Sequence, residues 1–247
     1  MRAACTCWRA PVSRRPCVAT SPLPASAPAH AGTGHWAETG AGEGAGYSLN
    51  APLPAGLGDR PYFGLFTLVV DQAVERFRPS AVVLQCGADS VAGDALGKLN
   101  LSGMCHAACV AHVRAKGLPL LVLGGGGYTI GNVARVWCHE TAVLAGCDAD
   151  VDDAIPDTPF DAYFPDRGQL IVRAKKPQPA AEREHAAYAI DLAAVLVEQL
   201  RGLPPAPSVG VGDAFYGPLV GVAGPTLARL VPPDAAGASS SSSSGTR

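Results

Sequence analysis

Residues 81–137 read AVVLQCGADSVAGDALGKLNLSGMCHAACVAHVRAKGLPLLVLGGGGYTIGNVARVW, and this stretch decides the fold. It contains two short apolar runs, residues 81–86 and 120–123, and each run leads into a glycine-containing turn. Neither run alternates polar and apolar residues, which is typical of parallel strands covered on both faces. A helical pattern follows each turn. The sequence therefore predicts strand–helix alternation and a parallel sheet in an α/β domain.

The flanking sequence adds a short strand over residues 46–52 and a last helix over roughly residues 181–201. A helix over residues 62–77 is predicted because apolar residues recur there at helical spacing. These residues are Phe63, Phe66, Val70 and Val74. Ser102 has the residue type of an N-cap, so a further helix should run from there to about residue 116.

The helix that follows the glycines of residues 124–127 is predicted to bury one apolar stripe and to end at Gly146. The stripe comprises Ile130, Val133, Ala134, Trp137, Thr141 and Leu144.

Composition limits the classes of protein to consider. The chain has 247 residues, of which 48% are hydrophobic, so it can bury one sizeable core. Its net charge is -2 and its basic residues form no stripe, which argues against direct nucleic-acid binding. No apolar run approaches the roughly 18 residues of a membrane helix. The eight cysteines lie mostly in apolar segments and so indicate a reducing compartment.

Asp89 and Tyr128 stand after the two apolar runs. In open α/β sheets, ligands bind outside the carboxyl ends of the strands, so both side chains are candidates for a functional site. The alternatives are that Asp89 caps its own turn and that Tyr128 only packs over the glycines. Those glycines do not form a Walker loop because no GK[ST] follows them. They indicate a close backbone approach instead.

Three motifs carry a family resemblance: PSAVVLQCGADS at residues 79–90, LNLSGMCHAACV at residues 99–110, and LGGGGYTIGNVARVW at residues 123–137. Together with residues 32–66 and 161–209, they resemble the C-terminal half of class I-like zinc-dependent histone deacetylases. The resemblance implies a three-layer arginase/deacetylase-type fold with a mainly parallel sheet, here truncated to its C-terminal half. It also implies hydrolysis of N-acetyl-lysine on histones, with acetylated histone tails and co-repressor proteins as partners.

The resemblance also assigns roles to individual residues. Asp89 falls on the family's zinc-ligand aspartate, and Tyr128 falls on the tyrosine that hydrogen-bonds the acetyl carbonyl. Leu96, Gly126 and Gly127 fall on the substrate channel. For Leu96, the alternative is ordinary loop packing.

Two positions depart from the family pattern. Ala95 and Gly131 stand where class I members usually carry arginines that help to bind inositol phosphate, so inositol phosphate binding is not expected here. Cys105, Cys109 and His112 share a helix face and mimic the spacing of metal ligands, but we expect the cysteines to be core residues.

The larger departure is that no Asp-x-His and no His-His pair occurs in the 247 residues. By resemblance, those motifs supply two zinc ligands and the general base. We therefore expect a catalytically incomplete chain that does not retain zinc alone. One hypothesis is a deacetylase-family member from a truncated or mispredicted gene product. The alternative is a non-catalytic half-domain that binds co-repressor or deacetylase partners.

Three segments are predicted. Residues 1–31 should be a disordered leader, residues 32–209 a partial deacetylase domain, and residues 210–247 a disordered, low-complexity tail. The leader has four arginines, no acidic residue and many alanines, prolines and serines, which is typical of transit peptides. The family implies a nuclear location, with a cytoplasmic one or plastid targeting by residues 1–31 as the alternatives.

Overall fold

The computed structural model describes residues 17–22, 34–164 and 168–204, all within the unit Met1–Pro207. The regular elements in chain order are β1 (Cys17–Pro22), β2 (Ser48–Leu53), α1 (Asp59–Phe77), β3 (Val82–Gln85), α2 (Gly103–Arg114), β4 (Leu120–Leu123), α3 (Ile130–Ala145) and α4 (Pro179–Arg201). This order confirms the predicted alternation of strands and helices.

The described strands pair in parallel, as predicted. β1 pairs with β2, and β3 pairs with β4 in a register that sets Val82 opposite Leu120 and Gln85 opposite Leu123. Within the described residues these are two separate two-stranded sheets. A parallel pair needs a crossover connection, and α2 supplies it between β3 and β4. The carboxyl ends of β3 and β4 consequently lie side by side.

Local signals set the ends of the helices. The hydroxyl of Ser102 accepts a hydrogen bond from the backbone N–H of Cys105 at 3.1 Å, and this N-cap starts α2. Gly146 adopts a left-handed φ of 75° and ends α3. Both boundaries confirm the sequence prediction. Among the helices of the described ranges, none has the combination of length and apolarity that crossing a membrane requires.

The main core lies between the helices and the inner faces of the strands. α1 contacts α4 and α2, and α2 also contacts α3. The predicted stripe of α1 is partly wrong, because only Phe66 of its four members is buried. The buried apolar residues of α1 are Tyr62, Leu65, Phe66, Val69 and Ala73. Phe63 and Val70 pack at the margin of this core.

The apolar stripe predicted for α3 is partly wrong. Val133, Trp137 and Leu144 are half-buried and pack against the core, but Ile130, Ala134 and Thr141 are exposed. The most buried face of the helix contains Val136, Ala142 and Val143 together with the polar residues Asn132, Arg135 and Glu140. Arg135 donates hydrogen bonds to the carbonyl oxygen of Gln169 at 2.9 Å and to Oδ1 of Asn132 at 2.7 Å. A buried polar face is stable when its groups are hydrogen-bonded in this way.

The expectation that both strands are buried on both faces is also wrong. Val82 and Leu84 of β3 point into the core, whereas Leu121 and Leu123 of β4 are 56% and 45% exposed. Leu120 and Val122 pack against the core from the other face of β4. Among the described strands, β4 pairs with β3 alone. The described part of the chain thus leaves one face of the β3–β4 sheet open.

This open face leads to a prediction about solubility. We expect the isolated chain to be poorly soluble or partly folded, because exposed leucines on an incompletely paired strand favour association. The double change Leu121→Lys/Leu123→Lys should increase the soluble fraction after expression, because both side chains point away from the core. The matched change Leu120→Lys/Val122→Lys should decrease it, because those side chains face the core. A monodisperse, cooperatively melting monomer of the unsubstituted chain would contradict the prediction.

The terminal segments are described only in part. β1 lies within residues 1–31, where the sequence led us to expect a disordered leader, and its backbone pairs with β2 along all six of its residues. Residues 17–22 are therefore part of a sheet with a strand of the predicted domain. The predicted tail over residues 210–247 lies outside the described residues. The segment boundaries themselves stay predictions.

Candidate active site at the ends of two parallel strands

The site begins where β3 ends. Asp89 lies in a 3-10 turn, Ala88–Ser90, which two residues separate from the end of β3, and it is half-buried. The backbone N–H of Cys86 donates to the carbonyl oxygen of Leu123 at 2.7 Å, and the N–H of Ala88 donates to that of Gly126 at 2.7 Å. Hydrogen bonding between the two chain segments thus continues beyond the strands. It holds the turn of Asp89 against the glycine turn that follows β4.

Gly126 is required by the position of Asp89. A Cβ atom at residue 126 would collide with Oδ2 of Asp89. The next residue, Gly127, has a φ of 143°, which side-chain-bearing residues rarely adopt. A Cβ there would also meet the side chain of Val133 at 2.5 Å. The glycines therefore provide the close approach that the sequence predicted, and the Asp89 carboxylate occupies the space at Gly126.

Tyr128 follows directly on this turn. Its side chain is 54% exposed, so the phenol is open to a ligand at the surface. Its backbone N–H donates to Oδ2 of Asp94 at 2.7 Å. Leu96, on the same loop as Asp94, is 63% exposed. The structure thus brings together the loops of all five predicted site residues, Asp89, Leu96, Gly126, Gly127 and Tyr128, while their roles stay predictions.

A buried polar network lies beneath the turn. The residue after Asp89, Ser90, is hydrogen-bonded through its hydroxyl to Nε2 of His106 at 2.8 Å. The other ring nitrogen, Nδ1 of His106, lies 3.1 Å from Oε1 of Glu140. The side chains of His106 and Glu140 are 0% and 4% exposed. This network links α2 and α3 to the turn that carries Asp89.

Two cysteines near the site, Cys86 and Cys105, are buried thiols. Burial, followed by the charge of Glu140, raises the pKa of the Cys86 thiol far above its usual range. A hydrogen bond with Cys109, followed by burial, raises the pKa of Cys105. Because the thiolate is the form that binds metals and attacks electrophiles, both groups behave as core residues. Cys105 and Cys109 are both buried, which confirms the expectation that they are core residues.

His112, which shares the helix face of Cys105 and Cys109, is paired with a carboxylate of α1. Its Nε2 lies 2.6 Å from Oδ1 of Asp71, which also pairs with Lys116 at 2.6 Å. Across residues 34–164 and 168–204, no three His, Cys, Asp or Glu side chains are grouped so that they could hold one metal ion. A catalytic zinc needs about three protein ligands. The described residues by themselves do not fit a zinc ion, since Asp89 supplies one carboxylate at most.

The two departures from the class I pattern differ in their surroundings. Ala95 is exposed on the loop of Asp94. Gly131 is buried, and a Cβ atom there would collide with the carbonyl oxygen of Tyr163. An arginine at residue 131 would therefore require the segment around Tyr163 to move.

Comparison with known proteins supports the resemblance. The histone deacetylase domain family matches residues 24–144. The chain is 53% identical to histone deacetylase 19 of Arabidopsis thaliana over 133 residues, which is 54% of this chain and 26% of that protein. It is 42% identical to histone deacetylase clr6 of Schizosaccharomyces pombe over 178 residues, 72% of this chain and 43% of the relative. It is 44% identical to human histone deacetylase 1 over 179 residues, 72% of this chain and 36% of the relative.

The structure is an α/β domain with parallel strands, and it places a carboxylate and a phenol at adjoining strand ends. This arrangement matches the arginase/deacetylase class of fold. The chain belongs to the histone deacetylase family, on its class I side. It spans less than half the length of these curated relatives. The family resemblance and fold class predicted from the sequence are thereby confirmed.

Four residues that support the site were not predicted from the sequence. Asp94 and Trp137 both make hydrogen bonds that join the two strand ends, the latter from Nε1 to the carbonyl oxygen of Cys86 at 2.7 Å. His106 and Glu140 were likewise not recognised as a pair. Asp94 follows a glycine in a turn sequence, a signal that was available for it. For the other three, the sequence held no local signal, because their partners are distant in the chain.

Proposed function

We propose that this chain contributes one side of a lysine deacetylase active site that hydrolyses the N-acetyl-lysine amide of histone tails. In this proposal, Asp89 supplies a carboxylate ligand and Tyr128 a hydrogen-bond donor, while Leu96, Gly126 and Gly127 line the channel for the substrate. The observation that supports it is the adjoining position of the two turns, with the Ala88–Gly126 hydrogen bond and the Asp89 carboxylate against Gly126.

The phenol of Tyr128 suits the role of an oxyanion donor. Amide hydrolysis places negative charge on the carbonyl oxygen in the transition state, and a fixed O–H donor aimed at that oxygen stabilises it. Tyr128 is exposed at the surface, whereas its backbone is held by Asp94. An exposed phenol on a fixed backbone can meet a substrate without reorganising the turn.

The histone deacetylase family is zinc-dependent, and zinc supplies such enzymes with a polarised carbonyl and an activated water. Because the described residues do not fit a zinc ion by themselves, we propose that the chain does not retain zinc alone. The missing ligands and the general base would come from a segment that carries an Asp-x-His and a His-His pair. The 247 residues contain neither pair.

Metal content tests this proposal. The purified chain should carry clearly less than one zinc ion per molecule after a mild chelator wash. Co-expressed with a deacetylase segment that carries the two missing motifs, it should form a complex with one zinc ion, measured by elemental analysis. Asp89→Asn should lose that zinc, whereas Asp191→Asn on the exposed side of α4 should keep it. Stoichiometric zinc in the chain alone, lost in Asp89→Asn, would contradict the proposal.

A non-catalytic role is the second candidate, favoured by the open face of β4 with Leu121 and Leu123. In that case the chain would bind co-repressor or deacetylase partners without forming a zinc site. The same co-expression distinguishes the two functions, since a stable complex that lacks zinc favours the non-catalytic one. In either case we propose a nuclear location and no binding of inositol phosphate.

A further inference from the structure

The loop before α2 contains a carboxylate that the proposed chemistry does not use. Asp94 accepts three backbone N–H groups. Its Oδ1 accepts from Leu96 at 2.9 Å and from Gly97 at 2.8 Å, and its Oδ2 accepts from Tyr128 at 2.7 Å. The first two bonds fix the shape of its own loop, and the third crosses to the turn after β4. One side chain thus joins the loop that presents Leu96 to the backbone that presents Tyr128.

The hydrogen bond from the N–H of Tyr128 to Asp94 restrains a backbone segment that would otherwise be flexible. Four consecutive glycines precede Tyr128, and glycine has more backbone freedom than any other residue. Two further bonds join the same loops, from Oγ1 of Thr129 to the carbonyl oxygen of Gly93 at 3.1 Å and from Nδ2 of Asn132 to that of Ala92 at 3.3 Å. The Asp94 bond is the one that ends on the peptide unit of Tyr128 itself, immediately after the glycines.

We propose that Asp94 is a positioning residue, which fixes the backbone of Tyr128 and thereby the direction of its phenol relative to the loop of Leu96. The inference deepens the proposed function, because it rests on Tyr128 as the donor to the substrate. Hydrogen bonds to an ionised acceptor are roughly twice as strong as neutral ones, which suits a carboxylate to this task. Small displacements of a catalytic group cost large factors in rate.

The change Asp94→Asn tests the hydrogen bond to Tyr128 without changing the size of the side chain. Asparagine has nearly the same shape, but it has one acceptor oxygen where aspartate has two. An asparagine that keeps the bonds to Leu96 and Gly97 turns its amide N–H₂ group toward the N–H of Tyr128, and these two donors repel each other. Thr129→Val is the matched control, because it removes a neighbouring bond between the same loops without touching the peptide N–H of Tyr128.

Hydrogen–deuterium exchange of the 247-residue chain at low concentration measures the connection directly. In Asp94→Asn, the Tyr128 amide should exchange about tenfold faster or more, because it loses a charge-assisted bond. The amides of α2 should keep their rates, and Thr129→Val should leave the Tyr128 amide within about threefold of its original rate. An unchanged Tyr128 amide in Asp94→Asn would overturn the proposal. Loss of protection throughout the chain, or an unprotected Tyr128 amide before any substitution, would overturn it too.

A second measurement uses the zinc-containing complex described above. There Asp94→Asn should lower kcat by about tenfold or more with little change in KM, because the phenol acts mainly in the transition state. Thr129→Val should change kcat much less. Equal losses of kcat in the two variants would overturn the positioning role. If the complex proves inactive, the proposed function fails, while the exchange experiment still decides whether Asp94 fixes Tyr128.

Discussion

The 247-residue chain alone is expected to show no detectable deacetylation of an acetyl-lysine peptide. Deacetylation requires a metal, an activated water, a base and an oxyanion donor. In our proposal the chain supplies the donor, Tyr128, and one metal ligand, Asp89. Catalytic groups that act as a unit lose nearly all of their effect when a key member is missing. A fluorogenic acetyl-lysine peptide at high enzyme concentration is a sufficient assay.

Activity should appear when the chain is co-expressed with a segment that carries an Asp-x-His and a His-His pair. In that complex, Tyr128→Phe should lower kcat by about a hundredfold or more, because it removes one preorganised donor to the oxyanion. Tyr47→Phe is the control, since Tyr47 packs edge-on against Phe77 at the end of α1, where the chain leads into the amino end of β3 rather than its carboxyl end. It should leave kcat unchanged.

Two results would contradict this prediction. Zinc-dependent turnover by the chain alone, sensitive to both Asp89→Asn and Tyr128→Phe, would mean that these residues already form a complete site. An active complex that is insensitive to Tyr128→Phe would remove the phenol from the mechanism. In both cases the proposed division of roles would be wrong.

The largest expected effect on stability comes from His106. His106→Ala should lower the free energy of unfolding by about 1–3 kcal/mol, the usual cost of leaving a buried hydrogen-bonding group without its partner. The reason is that Glu140 and Ser90 share His106 as a partner inside the protein. Urea unfolding at 25 °C, with the m-value compared between variants, measures the change.

His112→Ala provides the control on the same helix. His112 is also paired with a carboxylate, that of Asp71, but the histidine and aspartate side chains are 21% and 43% exposed. Pairs that water can reach contribute about 1 kcal/mol or less. The double change His106→Leu/Glu140→Leu should cost less than His106→Ala, because it also removes the Glu140 carboxylate that His106→Ala leaves buried without this partner, while the Ser90 hydroxyl can still donate to the carbonyl oxygen of Gly87. Equal losses for His106→Ala and His112→Ala would show that the buried network adds nothing to stability.

Much of the fold follows from signals that act over a few residues. The N-cap at Ser102, the left-handed glycine at Gly146 and the apolar run of β4 predict their elements correctly. The glycines before Tyr128 correctly predicted a close approach of two backbones. The long motifs also identified the family, and with it the candidates Asp89 and Tyr128. Such features could be predicted because each depends on the residue types within one turn or one strand.

The tertiary structure decided which side chains support the site. The spacing of apolar residues predicted only part of the buried side of α3. The helix also buries Arg135 and Glu140, because Gln169 and His106 lie in position to bond them. Asp94 reaches Tyr128, 34 residues further along the chain. A polar residue can be buried only where a partner meets it, and where that partner lies depends on the packing of distant segments. Local sequence therefore determined the elements and the family, whereas long-range packing decided the hydrogen-bonded residues around the proposed active site.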